Sequence, residues 1–453
     1  MKKMRVLLPA FLIALCLLWH VEAYSAGDKD GVITISTARQ LAEICADSAG
    51  RQYVLGADIT LPPGWVPIGQ AAPGLADYPN QAFTFKGSLD GRGHTISGLS
   101  IDAAAGDVVG LFGTLEGAVI SNIVLADARV EINGAGPGHE FAAGLLAGVV
   151  VGGTISNVTI KNGSISVTGA GYENAVTGGL AGRVEGTGTI SECYINADVT
   201  GAIAGGFAGQ LTGSKLSANA NHTLEVTQCR AAGKVTSTTH GIAGGFVGEG
   251  EYVLIKESSA YGDTQGCAAA GGFVGRLSNS SRVIYSYAKG DVALGCEVVP
   301  SETVASPTAA SSSPAKLPAY AGGFVGKLTT SSCVEFSYSA GTVFAGERAD
   351  TVAGGFVGYI SASGAPNTIT HSLSFAPWVV GGGYVHRFAG RMSHDGVNGC
   401  YAHLGSMVVR GGSLAHVLPS AYGQDGADMS MAHVEDVTRR LGWRGEVLLA
   451  AEE

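Results

Sequence analysis

Residues 270–277 read Ala270-Gly271-Gly272-Phe273-Val274-Gly275-Arg276-Leu277, and close variants of Gly-Gly-Phe-Val-Gly recur along the 453-residue chain. The central apolar residue of the phrase is in turn Leu111, Leu146, Leu180, Phe207, Phe246, Phe273, Phe324, Phe356 and Phe388. The shortest interval, 27 residues, occurs at Leu180 to Phe207 and again at Phe246 to Phe273, and the longest, Phe273 to Phe324, is 51. Self-similarity on this scale, with insertions at fixed places, is the mark of a solenoid or array.

Two further columns follow the first. One is β-branched throughout: Ile120, Ile155, Ile190, Val226, Ile255, Val283, Val334, Ile369 and Val397. Such residues suit a strand. Three places on come Ile123, Val158, Cys193, Cys229, Ser258, Ser286, Ser337, Ser372 and Cys400, all apolar or small. The residues between are mixed and often polar, so short strands repeat with their inward positions in register.

No unit carries an apolar pattern long enough for a helix, which excludes helical solenoids. A propeller blade would need four strands and a near-constant length. The expected fold is all-β: a right-handed parallel β-helix (β-solenoid) of about nine coils with N- and C-terminal caps. Each unit would hold about three short strands and three turns, with glycines turning the corners because they tolerate positive φ. Nine coils at the ~4.8 Å strand spacing give a rod about 43 Å long.

Composition agrees. Glycine supplies 70 residues and charged residues only 14%, against about 25% charged in an ordinary chain. The 14 prolines and the lack of a Gly-X-Y period exclude collagen. Net charge is −10, so the chain lacks the basic face that nucleic acid or an anionic membrane demands.

Lys2, Lys3 and Arg5, the apolar run Val6–Trp19 and the small residues Ala23, Ser25 and Ala26 form the tripartite pattern of a secretory signal over residues 1–26. Its removal, which also takes Glu22, moves the net charge to −12. No second apolar run is long enough to span a membrane. The remaining cysteines are Cys45, Cys193, Cys229, Cys267, Cys296, Cys333 and Cys400. None forms a CxxC pair, and the histidines lack ligand spacing, so neither metal nor cofactor is expected.

The units resemble the GLUG motif, named for its Gly-Leu/Phe-x-Gly phrase. Asn122 and Asn157 fit the Ile-x-Asn that follows in that motif, which later units replace with Glu192, Gln228, Glu257 and others. Residues 52–101, with Tyr53-Val-Leu-Gly-Ala-Asp-Ile-Thr60, Trp65-Val-Pro-Ile-Gly69 and Phe85-Lys-Gly-Ser-Leu-Asp-Gly-Arg-Gly-His-Thr-Ile-Ser-Gly-Leu99, resemble the segment that commonly precedes such repeats. The similarity spans roughly residues 32–410. It implies a bacterial secreted or surface protein, similar to filamentous-haemagglutinin-like adhesins and to the non-catalytic part of IgA-specific metallopeptidases. It speaks to fold and location more than to activity.

The expected organisation is a signal peptide (1–26), an N-terminal cap and lead-in (27–108), GLUG-like repeats (109–415) and a C-terminal cap (416–453). Thr37 with Gln40 makes a capping box for a helix through Ala46. Asp428–Leu441, with Val434, Val437 and Leu441 on one side and Gly442 as its stop, reads as a closing helix. Insertions fall at Leu211–His222 and, Ser/Pro-rich, at 297–318.

Chemistry is sparse. His139-Glu140 begins an H-E-x-x-H, but Ala143 stands where the second His belongs, and no P-loop or nucleophile elbow occurs. The β-solenoid also hosts polysaccharide lyases and hydrolases, so carboxylate pairs matter. Asp263 and Asp291 would lie one strand spacing apart, near the ~5–5.5 Å of retaining glycosidases; the plainer reading is a solvated turn. Tyr194, Tyr287, Tyr338 and Tyr401 should point outward if the third column points in, an aromatic row able to stack on sugar or pack against a partner. Arg230 shares that row. Cys193 and Cys229 are either bridged or stacked as thiols. Cys267 and Cys296 are placed to staple the base of the long insertion. The resulting expectation is an exported, non-enzymatic binding or adhesion protein, extracellular, at the cell surface or periplasmic. Its partner would be a glycan or a surface or host protein. A glycan-active enzyme and a structural surface-layer element are the alternatives.

Overall fold

A computed structural model describes residues 31–440 apart from 45–47, 71–81, 103–106, 135, 137, 139, 216–223, 296–317 and 362–365. The signal segment, Cys45, Cys296, the long insertion up to residue 317, and Leu441 with Gly442 lie outside the described residues. No helix among the described residues is long and apolar enough to cross a membrane.

The chain winds as a parallel β-solenoid whose strands form two sheets, of 19 and 28 strands. The unit that starts at Phe246 shows one turn. Val247–Glu251 and Val253–Lys256 lie in the first sheet; Ser259–Ala260, Thr264–Gly266 and Ala269–Gly271 lie in the second. Each coil thus holds more strands than the three expected, because single residues such as Tyr252, at φ 52°, break a run without ending its sheet.

The β-branched column is continuous. Leu89, Ile120, Ile155, Ile190, Val226, Ile255, Val283, Val334, Ile369 and Val397 pair in sequence from coil to coil, and all are buried. The stack starts earlier than the Gly-Gly-Phe phrase does. Val32–Ile35 pairs with Gln52–Leu55, which pairs with Ser88–Asp90. These front rungs escape a count of phrases because they lack the phrase.

The first column forms a ring stack. Phe207, Phe246, Phe273, Phe324, Phe356 and Phe388 follow one another at centroid spacings of 4.6, 4.7, 4.8, 4.9 and 4.9 Å, with planes within 10°. The spacing is that of neighbouring strands, so backbone pairing and ring packing share one period.

The third column explains how serine enters a core. Ser258, Ser286, Ser337 and Ser372 are buried. Each hydroxyl donates to the carbonyl two residues back, at 2.8, 3.0, 2.8 and 3.0 Å, and accepts the N–H of the preceding coil's equivalent residue at 3.2 to 3.3 Å. A buried hydroxyl with both partners avoids the desolvation penalty.

The corners are built differently from the expectation. The residue before each third-column position is left-handed although it is rarely glycine. Asn122, Asn157, Glu192, Gln228, Glu257, Tyr285, Phe336, His371 and Gly399 have φ between 48° and 62°. Asn tolerates this conformation best, which accounts for the motif's Asn; Asn157 also donates to Asn122 Oδ1 at 2.8 Å. The paired glycines serve close approach instead. A Cβ on Gly245 would lie 2.1 Å from the Gly272 carbonyl oxygen, and one on Gly244 1.9 Å from that of Val247.

At the front, α1 (Ala38–Ala42) is capped by Thr37, whose hydroxyl accepts Gln40 N–H at 3.2 Å. Gln40 Oε1 in turn accepts Ser36 N–H at 2.8 Å. The helix ends at Ala42, where the Glu43 N–H donates to the Arg39 carbonyl at 2.9 Å; Ala46, its expected end, lies outside the described residues. At the rear, Phe388 and Ala389 donate their N–H groups to the Gln424 carbonyl at 3.1 and 2.8 Å, so this loop closes the last Gly-Gly-Phe coil. The second helix, α2 (Val434–Arg440), packs on the rod's flank, where Val434 and Val437 join Tyr338, Leu373 and Met429 in one buried cluster.

Candidate functional site

The tyrosine row lies on the outer side of the second sheet. Register sets Tyr194 beside Arg230, then Ser259, Tyr287, Tyr338, Leu373 and Tyr401 in successive coils. Strand alternation makes this inevitable once the third column points inward.

The row divides in two. In its open part the Arg230 guanidinium lies 5.5 Å from the Tyr194 ring centre and 3.7 Å from that of Tyr261. Lys289 lies 5.6 and 5.9 Å from the rings of Tyr261 and Tyr287. Cations over tyrosine faces are mutually attractive. The Tyr261 and Tyr287 hydroxyls share a hydrogen bond. Burial, then that hydrogen bond, pushes the Tyr261 phenol up to about 12, so it is neutral at physiological pH. Tyr261 and Lys289 escaped the sequence reading because both stand outside the repeated columns.

The rest of the row is covered. Tyr287 stacks on Tyr338 at 4.9 Å, but Tyr338 is only 1% exposed. Burial first, then the charges of Tyr287 and Tyr261, raises its phenol further. It points out of the coil, as expected, yet not into solvent, because α2 covers that stretch. Tyr401 lines a cleft of about 520 Å³ with Asp428, His433, Asp436 and Arg439. Beside the row, the left-handed corner residues stack as well: Tyr285 on Phe336 at 5.1 Å and Phe336 on His371 at 5.2 Å.

Asp263 and Asp291 do fall in successive coils. Asp263 Oδ1 accepts Asp291 N–H at 2.9 Å, and Asp291 Oδ1 accepts Thr342 N–H at 2.7 Å. Asp198 treats Lys234 N–H the same way at 2.7 Å. Each carboxylate therefore holds one coil to the next. Among the described residues no group of three or more His, Cys, Asp or Glu side chains is placed to hold a metal ion.

Cys267 is disulfide-bonded, and its sulfur lies 3.9 Å from the carbonyl oxygen of Gly295, the residue before Cys296. Cys193, Cys229, Cys333 and Cys400 are free thiols. Burial pushes the thiols of Cys333 and Cys400 up to about 11 and 12.

The GLUG motif matches residues 266–293, so that unit is a GLUG motif as the sequence suggested. Halomucin of Haloquadratum walsbyi is 39% identical over 114 residues, 24% of this chain and 1% of that protein. The chain thus spans only a small fraction of that relative. A solved structure of a candidate immunoglobulin A1 protease from Bacteroides ovatus aligns over 91% of this chain and 88% of that one, with a TM-score of 0.37 and 16% identity.

Proposed function

We propose that this is an exported, extracellular or surface binding protein with no catalytic activity, in which a stiff solenoid presents side chains at fixed spacing. The observation that carries this reading is the open series Tyr194, Arg230, Tyr261, Lys289 and Tyr287. Its rings and cations are held in register by backbone pairing. Aromatic faces flanked by cations on a rigid support suit sugars or an acidic protein surface. The similarity to halomucin and the disulfide at Cys267 support an oxidising, extracytoplasmic setting. Cys296 is the proposed partner of Cys267, and peptide mapping without reductant should recover the pair as one linked product.

A glycan-degrading activity has less support, since Asp263 and Asp291 already serve backbone N–H groups of the next coil. The test is a panel of glycans and matrix proteins, read for both retention and chain cleavage. The expected result is retention without cleavage, weakened about threefold to tenfold by Arg230→Gln. Turnover abolished by Asp291→Asn would instead make the rod an enzyme.

A further inference from the structure

A second surface lies along the Gly-Gly corner. One file on its first-sheet side reads Arg276, Lys327, Tyr359 and Arg391 in register. The file on its second-sheet side reads Tyr320, Val352 and Tyr384. Glycines 322, 323, 354 and 355 leave the corner between them without side chains. Across it the Tyr320 and Tyr359 rings stack at 5.0 Å. Tyr359 is further fixed by a 2.9 Å hydrogen bond between its hydroxyl and Ser393 Oγ. Lys327 lies 5.3 Å from the Tyr320 ring centre, and Arg391 lies 5.1 Å from that of Tyr384, which is 51% exposed.

The cations of this file differ in their pairing. Arg276 is neutralised by the buried Glu249. Lys327 and Arg391 have no carboxylate within 4.0 Å among the described residues, in a chain whose net charge is −10. They stand two coils apart with Tyr359 between them, a separation of about 9.6 Å at the ~4.8 Å strand spacing. That is about the advance of two sugar residues along an extended chain, so the cations match carboxylates on alternate sugars and the tyrosine faces the intervening ring. A polyanion charged on every unit would leave its middle charge against Tyr359 and meet the repulsion of the whole acidic molecule.

The geometry points to the Lys327–Tyr359–Arg391 file, with Tyr320 and Tyr384 beside it, as a binding site for an acidic polysaccharide that carries one carboxylate per disaccharide. This rests on the binding function proposed above and names a ligand class and a second place for it.

Hyaluronan hexasaccharide is the probe, titrated calorimetrically against the full chain and compared with oligogalacturonate and a neutral chitin oligosaccharide. The hexasaccharide should bind at least about tenfold tighter than either control. Lys327→Gln and Arg391→Gln should each weaken it about fivefold, and Tyr359→Ala about tenfold, with unchanged circular dichroism. Arg230→Gln should leave this titration unchanged. Binding insensitive to all three corner variants, or equal for oligogalacturonate, would overturn the site. If the hexasaccharide fails while another ligand is retained and lost in Arg230→Gln, the corner site falls and the general binding function stands. If nothing on any panel is retained, both fall.

Discussion

Single residues at the corners divide the work of turning the chain. Left-handed positions are filled mainly by Asn, Glu, Gln and aromatics, while the glycine pairs stand where a carbonyl three residues on (first glycine) or one in the next coil (second glycine) leaves no space for a methyl group. Gly245→Ala should therefore cost about 3 kcal/mol or more in denaturant unfolding, because backbone on both sides must move. Gln228→Gly should do the opposite. Gln228 sits at φ 54°, and relief of that conformation, less glycine's chain-entropy cost, should raise stability by up to ~1 kcal/mol. The motif spelled out where the corners are. It could not tell which residue bears the unusual φ and which one makes room, because that depends on the distance to a neighbouring coil.

Elements here are short, and their stability comes from files running across them. The β-branched and phenylalanine files were legible because each recurs with the unit and only apolar side chains fill it. The serine file was legible as a position but not as a hydrogen-bonded ladder. Ser286→Ala would leave the Ser258 N–H buried without its acceptor and should cost about 1–3 kcal/mol. Ser286→Cys should cost less, since Cys229 and Cys400 occupy the same file and direct their sulfurs to the carbonyl two residues back. Thermal melts of the two variants check the order. The covering of Tyr338 by α2 was not legible: the helix is distant in sequence, and its apolar side fits the flank and the rod's end alike.

At the scale of the whole molecule, the ends need closing, because an open coil exposes a row of unpaired backbone groups. Asp425 is central to the rear closure. It accepts from the His386 ring at 3.2 Å, from Leu418 N–H at 2.9 Å and from Arg387 N–H at 3.2 Å. Burial alone would raise its carboxyl pKa, but these partners outweigh burial and hold it below the usual carboxylate range. A folded value below the unfolded one stabilises the closure above the unfolded pKa of about 4, and the gain is lost as pH falls through the lowered value. Hydrogen exchange at the Phe388 and Ala389 amides, corrected for its intrinsic pH dependence, should thus accelerate between about pH 5 and pH 3. The Phe324 amide, in mid-rod, should hold its protection.

The unit from Phe273 to Phe324 is far longer than its 27-residue neighbour. Yet Val292 pairs with Thr264 before the extra residues, and Tyr320 pairs with Ala269 after them. The circumference of a winding can therefore be edited while its pitch stays fixed. A lineage carrying this architecture is free to graft or delete decoration at that corner without disturbing the phase of anything displayed farther along the axis.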